Sequence, residues 1–124
     1  MMDAAIDPPI VVMVVEDDAD IAAALRDVLD NEGFRTVLAA NVAEAVILAG
    51  TDAPALVLLD WNLPDGNGGD VVRRLRPTMP MVPIIVMSAA REALEASLGV
   101  DARERLAKPL DVDRLVGLVR SYLG

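Results

Sequence analysis

Leu56-Val57-Leu58-Leu59-Asp60-Trp61-Asn62-Leu63-Pro64-Asp65-Gly66 runs four apolar residues straight into one carboxylate, then into a turn rich in Pro, Asp and Gly. A short apolar run bounded by turn signals reads as a strand buried on both faces. Asp60 then stands where that strand leaves the sheet. In open parallel sheets, sites gather in the crevice at the carboxyl ends of the strands. Taken alone, such an Asp is more often a turn or helix-capping residue, so the rest of the chain must decide.

The flanking stretches repeat the pattern. Ile10 to Val15 is an unbroken apolar run, β-branched except at Met13, and it ends in Glu16-Asp17-Asp18. Pro83 to Met87 reads as a strand finishing at Ser88. Arg105 to Ala107 reads as a short strand leading to Lys108-Pro109, and Phe34 to Ala39 as a weaker one. Helices fall between them. The first is capped by Asp18 or Asp20, carries the stripe Ile21, Leu25, Val28 and Leu29, and stops at Asn31 and Gly33. Asn41 with Glu44 opens a second that runs to Gly50, with Thr51 to Pro54 as a loop. Gly66, Gly68 and Gly69 read as a flexible turn before a third helix that begins around Val71 and is ended by Pro77 and Pro80. Arg91 to Leu98 is a short fourth helix closed by Gly99. The last is capped near Asp111 or Asp113 and buries Leu115, Leu118, Val119 and Tyr122. Alternating strands and helices with short, right-handed connections predict a parallel sheet covered on both faces. Residues 1–9 read as a flexible leader, and 10–124 as one domain.

Composition narrows the chemistry. At 124 residues the chain suits one core, and 54% apolar residues argue against disorder. With only 2% aromatics, that core must be aliphatic. A net charge of −9 disfavours direct nucleic-acid binding and an anionic membrane surface. Cys and His are both absent, which excludes disulfides, thiolate sites, the usual neutral-pH base and the commonest zinc ligand. No apolar run approaches a membrane span, and Met1 to Pro9 has no basic residue to suit a secretory signal, so the expectation is a soluble cytoplasmic domain.

The strand tips then line up as a set: Glu16 and Asp17, Asp60, Ser88 and Lys108. Converging carboxylates repel and raise one another's pKa unless a cation is near. A hard divalent ion such as Mg²⁺, which takes carboxylates, waters and phosphate oxygens, answers that need. Lys108 adds a mobile charge able to pair with Asp60 or an added phosphoryl group. Ser88 adds a hydroxyl. Asp60 can act as a nucleophile toward phosphorus, and phosphoryl transfer asks mainly for positioning and cations.

In this order, Val14-Val15-Glu16-Asp17-Asp18, Leu58-Leu59-Asp60-Trp61-Asn62-Leu63-Pro64-Asp65-Gly66, Met87-Ser88-Ala89 and Ala107-Lys108-Pro109-Leu110 resemble the motifs of the receiver domain of two-component response regulators. The resemblance covers about residues 10–123. It implies a flavodoxin-like (βα)5 doubly wound α/β fold with strand order 2-1-3-4-5. It implies Asp60 as phosphoacceptor, with Ser88 and Lys108 bonding phosphoryl oxygens. It implies Mg²⁺ held by Asp17, by Glu16 through water, by Asp60 and by the backbone carbonyl of Asn62. A cis peptide before Pro109 is implied too. Many receivers carry Tyr or Phe three residues before the Lys; here that place is Arg105, and the stretch from Leu94 to Arg105 implies a short or mobile fourth helix.

The expected function is that of a phosphoacceptor in a histidine-kinase phosphorelay. A histidine kinase or histidine phosphotransfer protein would be the donor, and an output partner would bind the face of the fourth helix, fifth strand and fifth helix. Neither nucleic acid nor membrane is an expected direct partner. Beyond its own phosphorylation and dephosphorylation, no enzymatic activity is expected. The receiver could also be a piece of a hybrid kinase or of a larger DNA-binding regulator, or a phosphate sink. A Mg²⁺-dependent hydrolase lacks room for a substrate cap, and the complete acid, hydroxyl and lysine set argues against an inert pseudo-receiver.

Overall fold

The apolar runs become five parallel strands in a computed structural model that describes residues 9–124. They are β1 (Val11–Val15), β2 (Arg35–Ala39), β3 (Leu56–Asp60), β4 (Ile84–Ser88) and β5 (Glu104–Ala107), in the order β2-β1-β3-β4-β5. β1 pairs Val15 with Ala39 on one side and with Leu59 on the other. Asp60 pairs with Met87, and Ser88 with Ala107. Every strand runs the same way, so all the polar tips share one rim. The expected leader falls almost wholly on residues 1–8, outside the described residues.

Five helices cover both faces: α1 (Ala19–Asn31), α2 (Val42–Asp52), α3 (Gly68–Leu75), α4 (Arg91–Ala96) and α5 (Val112–Leu123). Alternation along each strand sends Val12, Val14 and Leu58 toward Leu25, Leu29, Leu115 and Val119. It sends Met13, Val15, Val57 and Leu59 toward Ala45, Val71 and Leu75. Burial on both sides is why β3 and β4 carry no polar residue before their last position.

The helix ends refine the expectations. Asp18, not Asp20, caps α1, accepting from Asp20 N at 3.0 Å and Ile21 N at 3.1 Å. Gly33, at φ +92°, ends it in the left-handed region. Asp111, not Asp113, caps α5. α2 runs past Gly50 to Asp52 and turns at Ala53, so the Thr51 to Pro54 loop begins later than expected. The reading of Gly68 and Gly69 as a flexible turn is wrong: both are buried in the first turn of α3. Asn67 and Asp70 close a capping box there, with bonds of 3.1 and 2.9 Å. A Cβ on Gly68 would lie 2.9 Å from Trp61 Cε3, so close packing of the Trp61 indole demands glycine here. Before α3, Asn62–Leu63 and Gly66–Asn67 form a two-residue antiparallel ribbon.

α4 is short, as expected, and passes into a 3₁₀ turn at Ser97–Gly99. Arg105 projects from β5 into the connection that follows. Its guanidinium donates to Ser97 O (2.7 Å), Ser97 Oγ (3.1 Å), Val100 O (3.2 Å) and Ala102 O (3.3 Å). From the other side Arg76 donates to Asp101 O at 2.7 Å and to Val82 O at 2.6 Å. Two planar donors thus add to the backbone bonds that Val100 N and Ala102 N make to Ser97 O (3.1 Å) and Val100 O (2.9 Å). Arg105→Ala is expected to speed amide exchange across residues 97–102 at least tenfold while β1 and β3 stay protected, measured by hydrogen–deuterium exchange; a loss of about 1.4 kcal/mol in local opening corresponds to that factor.

Candidate functional site

Each site residue leaves the sheet where a backbone bond still holds it. Glu16 N donates to Ala39 O (2.9 Å), Trp61 N to Met87 O (3.0 Å) and Lys108 N to Ser88 O (2.9 Å). The ladder therefore continues one residue beyond each strand end and fixes where the side chains start. The peptide joining Lys108 to Pro109 is cis, as the motif implied.

Glu16, Asp17 and Asp60 converge so that one carboxylate oxygen from each lies within 4.8 Å of the others. Glu16 and Asp60 are buried, at 3% and 6% exposure, while Asp17 is exposed. Lys108 Nζ lies 2.6 Å from Glu16 Oε1 and 3.6 Å from Asp60 Oδ1. Its nearest partner is thus Glu16, 92 positions away in sequence, and the expected pairing with Asp60 is present beside it at the longer distance. Burial holds the Glu16 carboxyl above its usual value, the Lys108 hydrogen bond pulls it back, and Asp60 pushes it up again. Burial works against the Lys108 ammonium, but Glu16 and Asp60 outweigh it and raise the lysine above its usual value.

Ser88 is fully buried at the tip of β4, and its Oγ accepts from Ala90 N at 3.1 Å. Asn62 is exposed and begins the ribbon two residues past Asp60. Among the described residues no hydrogen bond joins Ser88 or Asn62 to the carboxylates. Trp61 is buried and packed with Val86 and Ala93. The donor set consists of oxygens alone, close together and negative, with one ammonium beside it. Such a set suits a hard divalent cation of the Mg²⁺ kind and not one that prefers nitrogen or sulfur.

Two residues of this region escaped the sequence reading. Asp65 accepts from Val42 N at 2.7 Å and Ala43 N at 3.1 Å, and so binds the site turn to α2. Nothing local signals that contact. Asn67 did carry a signal, since Asn67 and Asp70 have capping-box spacing.

Residues 12–120 match the family model of the response regulator receiver domain. Sporulation initiation phosphotransferase F of Bacillus subtilis is 31% identical over 114 residues, covering 90% of this chain and 92% of that protein. The KDP operon transcriptional regulatory protein KdpE of Escherichia coli is 36% identical over 114 residues, covering 90% of this chain and 50% of that one. The chain thus spans about half the length of that transcriptional relative. A putative response regulator from Chloroflexus aurantiacus superposes with a TM-score of 0.86 at 28% identity, over 94% of this chain and 98% of that one. Match, topology and rim geometry agree: the chain belongs to the receiver domain family of two-component response regulators.

Proposed function

We propose that the chain takes a phosphoryl group onto Asp60 from a phosphohistidine on a kinase or phosphotransfer protein. The observation that carries this reading is the buried Asp60 carboxylate beside Glu16 and Asp17, with Lys108 Nζ 3.6 Å away. An Asp60 oxygen attacks phosphorus, a P–O bond forms, the P–N bond breaks, and the electron pair leaves with the donor imidazole. A Mg²⁺ ion bound by Asp17, Asp60, the Asn62 backbone carbonyl and, through water, Glu16 would offset charge on the phosphoryl oxygens. Lys108, already among the carboxylates, pairs with a phosphoryl oxygen of the product. Ser88, whose Oγ accepts from Ala90 N, donates its hydroxyl hydrogen to another. The acyl phosphate adds about −1.5 to −2 charge at the rim, and the face of α4, β5 and α5 changes partner affinity through a population shift. Hydrolysis of the acyl phosphate, also on the chain's own residues, resets it.

An apolar groove of about 460 Å³ between Ile21, Leu25, Val28, Pro109, Leu110 and Val112 has Lys108 in its wall. A donor delivering phosphorus to Asp60 must cover this rim, so the groove is the surface we assign to a phosphohistidine-bearing protein. Relatives covered for 92% and for 50% of their length fit either a stand-alone relay protein or the receiver half of a DNA-binding regulator. A receiver cut from a hybrid kinase or a phosphate sink would use the same chemistry, and sequencing the whole reading frame separates these cases.

Asp60→Asn is expected to abolish labelling by a phosphorylated kinase and by acetyl phosphate. It should also stabilise the metal-free protein by about 1 kcal/mol, because one of three repelling carboxylates is neutralised. Undiminished labelling would remove the assignment. Lys108→Ala should act in the opposite sense on stability, costing about 2 kcal/mol by leaving Glu16 buried without its partner; urea denaturation without Mg²⁺ measures both. Val112→Asp, on the rim of the groove, should slow transfer from a protein donor about tenfold and leave labelling by acetyl phosphate unchanged. Equal loss with both donors would show that the groove does not receive the donor.

A further inference from the structure

We infer that Asp65 is a positioning residue for phosphoryl transfer: its carboxylate ties the turn after Asp60 to the start of α2, and so holds that turn against the loop carrying Glu16 and Asp17. The inference rests on the receiver reading above and adds a residue to it.

The start of α2 has more donors than its own cap can satisfy. Asn41 Oδ1 accepts from Glu44 N at 2.8 Å, and Glu44 Oε1 accepts from Ala40 N at 2.8 Å. That leaves the first two helical amides, Val42 N and Ala43 N. Asp65 takes both, one with each oxygen, at 2.7 and 3.1 Å, from 23 and 22 positions further along the chain. The Val42 bond, opposed by slight burial and aided by Ala43, holds the Asp65 carboxyl below its usual value. An anion at a helix N-terminus also meets the positive end of the helix dipole.

The turn is moulded to this contact. A Cβ on Gly66 would meet Asp70 Oδ2 at 2.6 Å and Val42 Cγ2 at 3.2 Å, so the chain passes flat against the helix start. Leu63 anchors the ribbon's first strand against the core beneath α2 and α3. On the other side, Glu16 N is bonded to Ala39 O, three residues before Val42. A closed circuit results. It runs from Glu16 through the β2–α2 junction to Val42, across to Asp65, and back through Asn62 to Asp60. Opening it at Asp65 frees Asn62 and the exit of Asp60 relative to Glu16 and Asp17, without touching any of the four.

Trp61 is the sole tryptophan and adjoins Asp60, so its fluorescence reports on Mg²⁺ added alone. Asp65→Ala is expected to raise the Mg²⁺ dissociation constant about tenfold, the usual scale for residues that orient metal ligands. Asp65→Asn, which keeps one acceptor oxygen, should fall between that variant and the wild type. Labelling by acetyl phosphate should return to near the wild-type rate at saturating Mg²⁺. If Asp65→Ala does not fold, Asp65→Asn decides alone. Variants with lowered thermal midpoints and unchanged Mg²⁺ affinity would show a helix cap and nothing more, overturning the inference while the receiver reading stands. A wild type whose Trp61 signal ignores Mg²⁺ would overturn both.

Discussion

The ammonium of Lys108, 2.6 Å from Glu16 and 3.6 Å from Asp60, is what allows three carboxylates to occupy one rim of a folded sheet. Two of those acids are almost fully buried, where like charges are poorly screened. Without a cation among them they would raise one another's pKa or force the rim apart. Everything else about the fold serves to bring this contact about. Residues 16, 60 and 108 stand at the carboxyl ends of three different strands, and only a parallel arrangement with β1, β3 and β5 pointing the same way puts those ends together. The contact also leaves the acids only partly neutralised, since one positive charge faces three negative ones. That residual imbalance makes the rim receptive to a further cation and, with it, to phosphoryl oxygens.

Around this charged rim the molecule is held by the sheet in some places and partly by side chains in others. The sheet beneath is aliphatic on both faces and fixes the exits of Glu16, Trp61 and Lys108 by backbone bonds that outrun the strands. Above the sheet the connections depend on single residues. Asp65 holds the turn after Asp60 to α2. Arg76 and Arg105 hold the segment after α4 through its carbonyls. Arg105 spends its donors on the connection between α4 and β5. An aromatic group lies between the site and α4: it is Trp61, the neighbour of Asp60, packed on Val86 and Ala93. The residue after Asp60 thus packs directly against Ala93 of α4.

Much of this could be read from residues in order. The runs Ile10 to Val15 and Leu56 to Leu59 announced strands buried on both faces, because a parallel sheet covered by helices has no use for alternation. The polar residue closing each run marked a rim. Asn41 with Glu44 and the stripe on α1 announced helices and their starts. Where the reading failed, packing overrode local chemistry. Gly68 and Gly69 looked like flexible turn residues, yet both lie in a buried helical turn, and glycine is required at 68 by the ring of Trp61. Ala53 at φ +45° carried no glycine to mark the end of α2.

The chain's linear order settled the class of fold, the rim and the kinds of group on it, because periodicity and chain direction are local properties that a parallel sheet converts directly into position. It could name Glu16, Asp17, Asp60, Ser88 and Lys108 without knowing their distances. Three-dimensional packing alone decided that Lys108 rests on Glu16 before Asp60, that Asp65 closes the circuit with α2, and that Arg105 secures the α4 connection. Those are contacts between the ends of long side chains and groups on other elements. Rotamers and burial select such contacts, and neither leaves a periodic mark in the residues that make them.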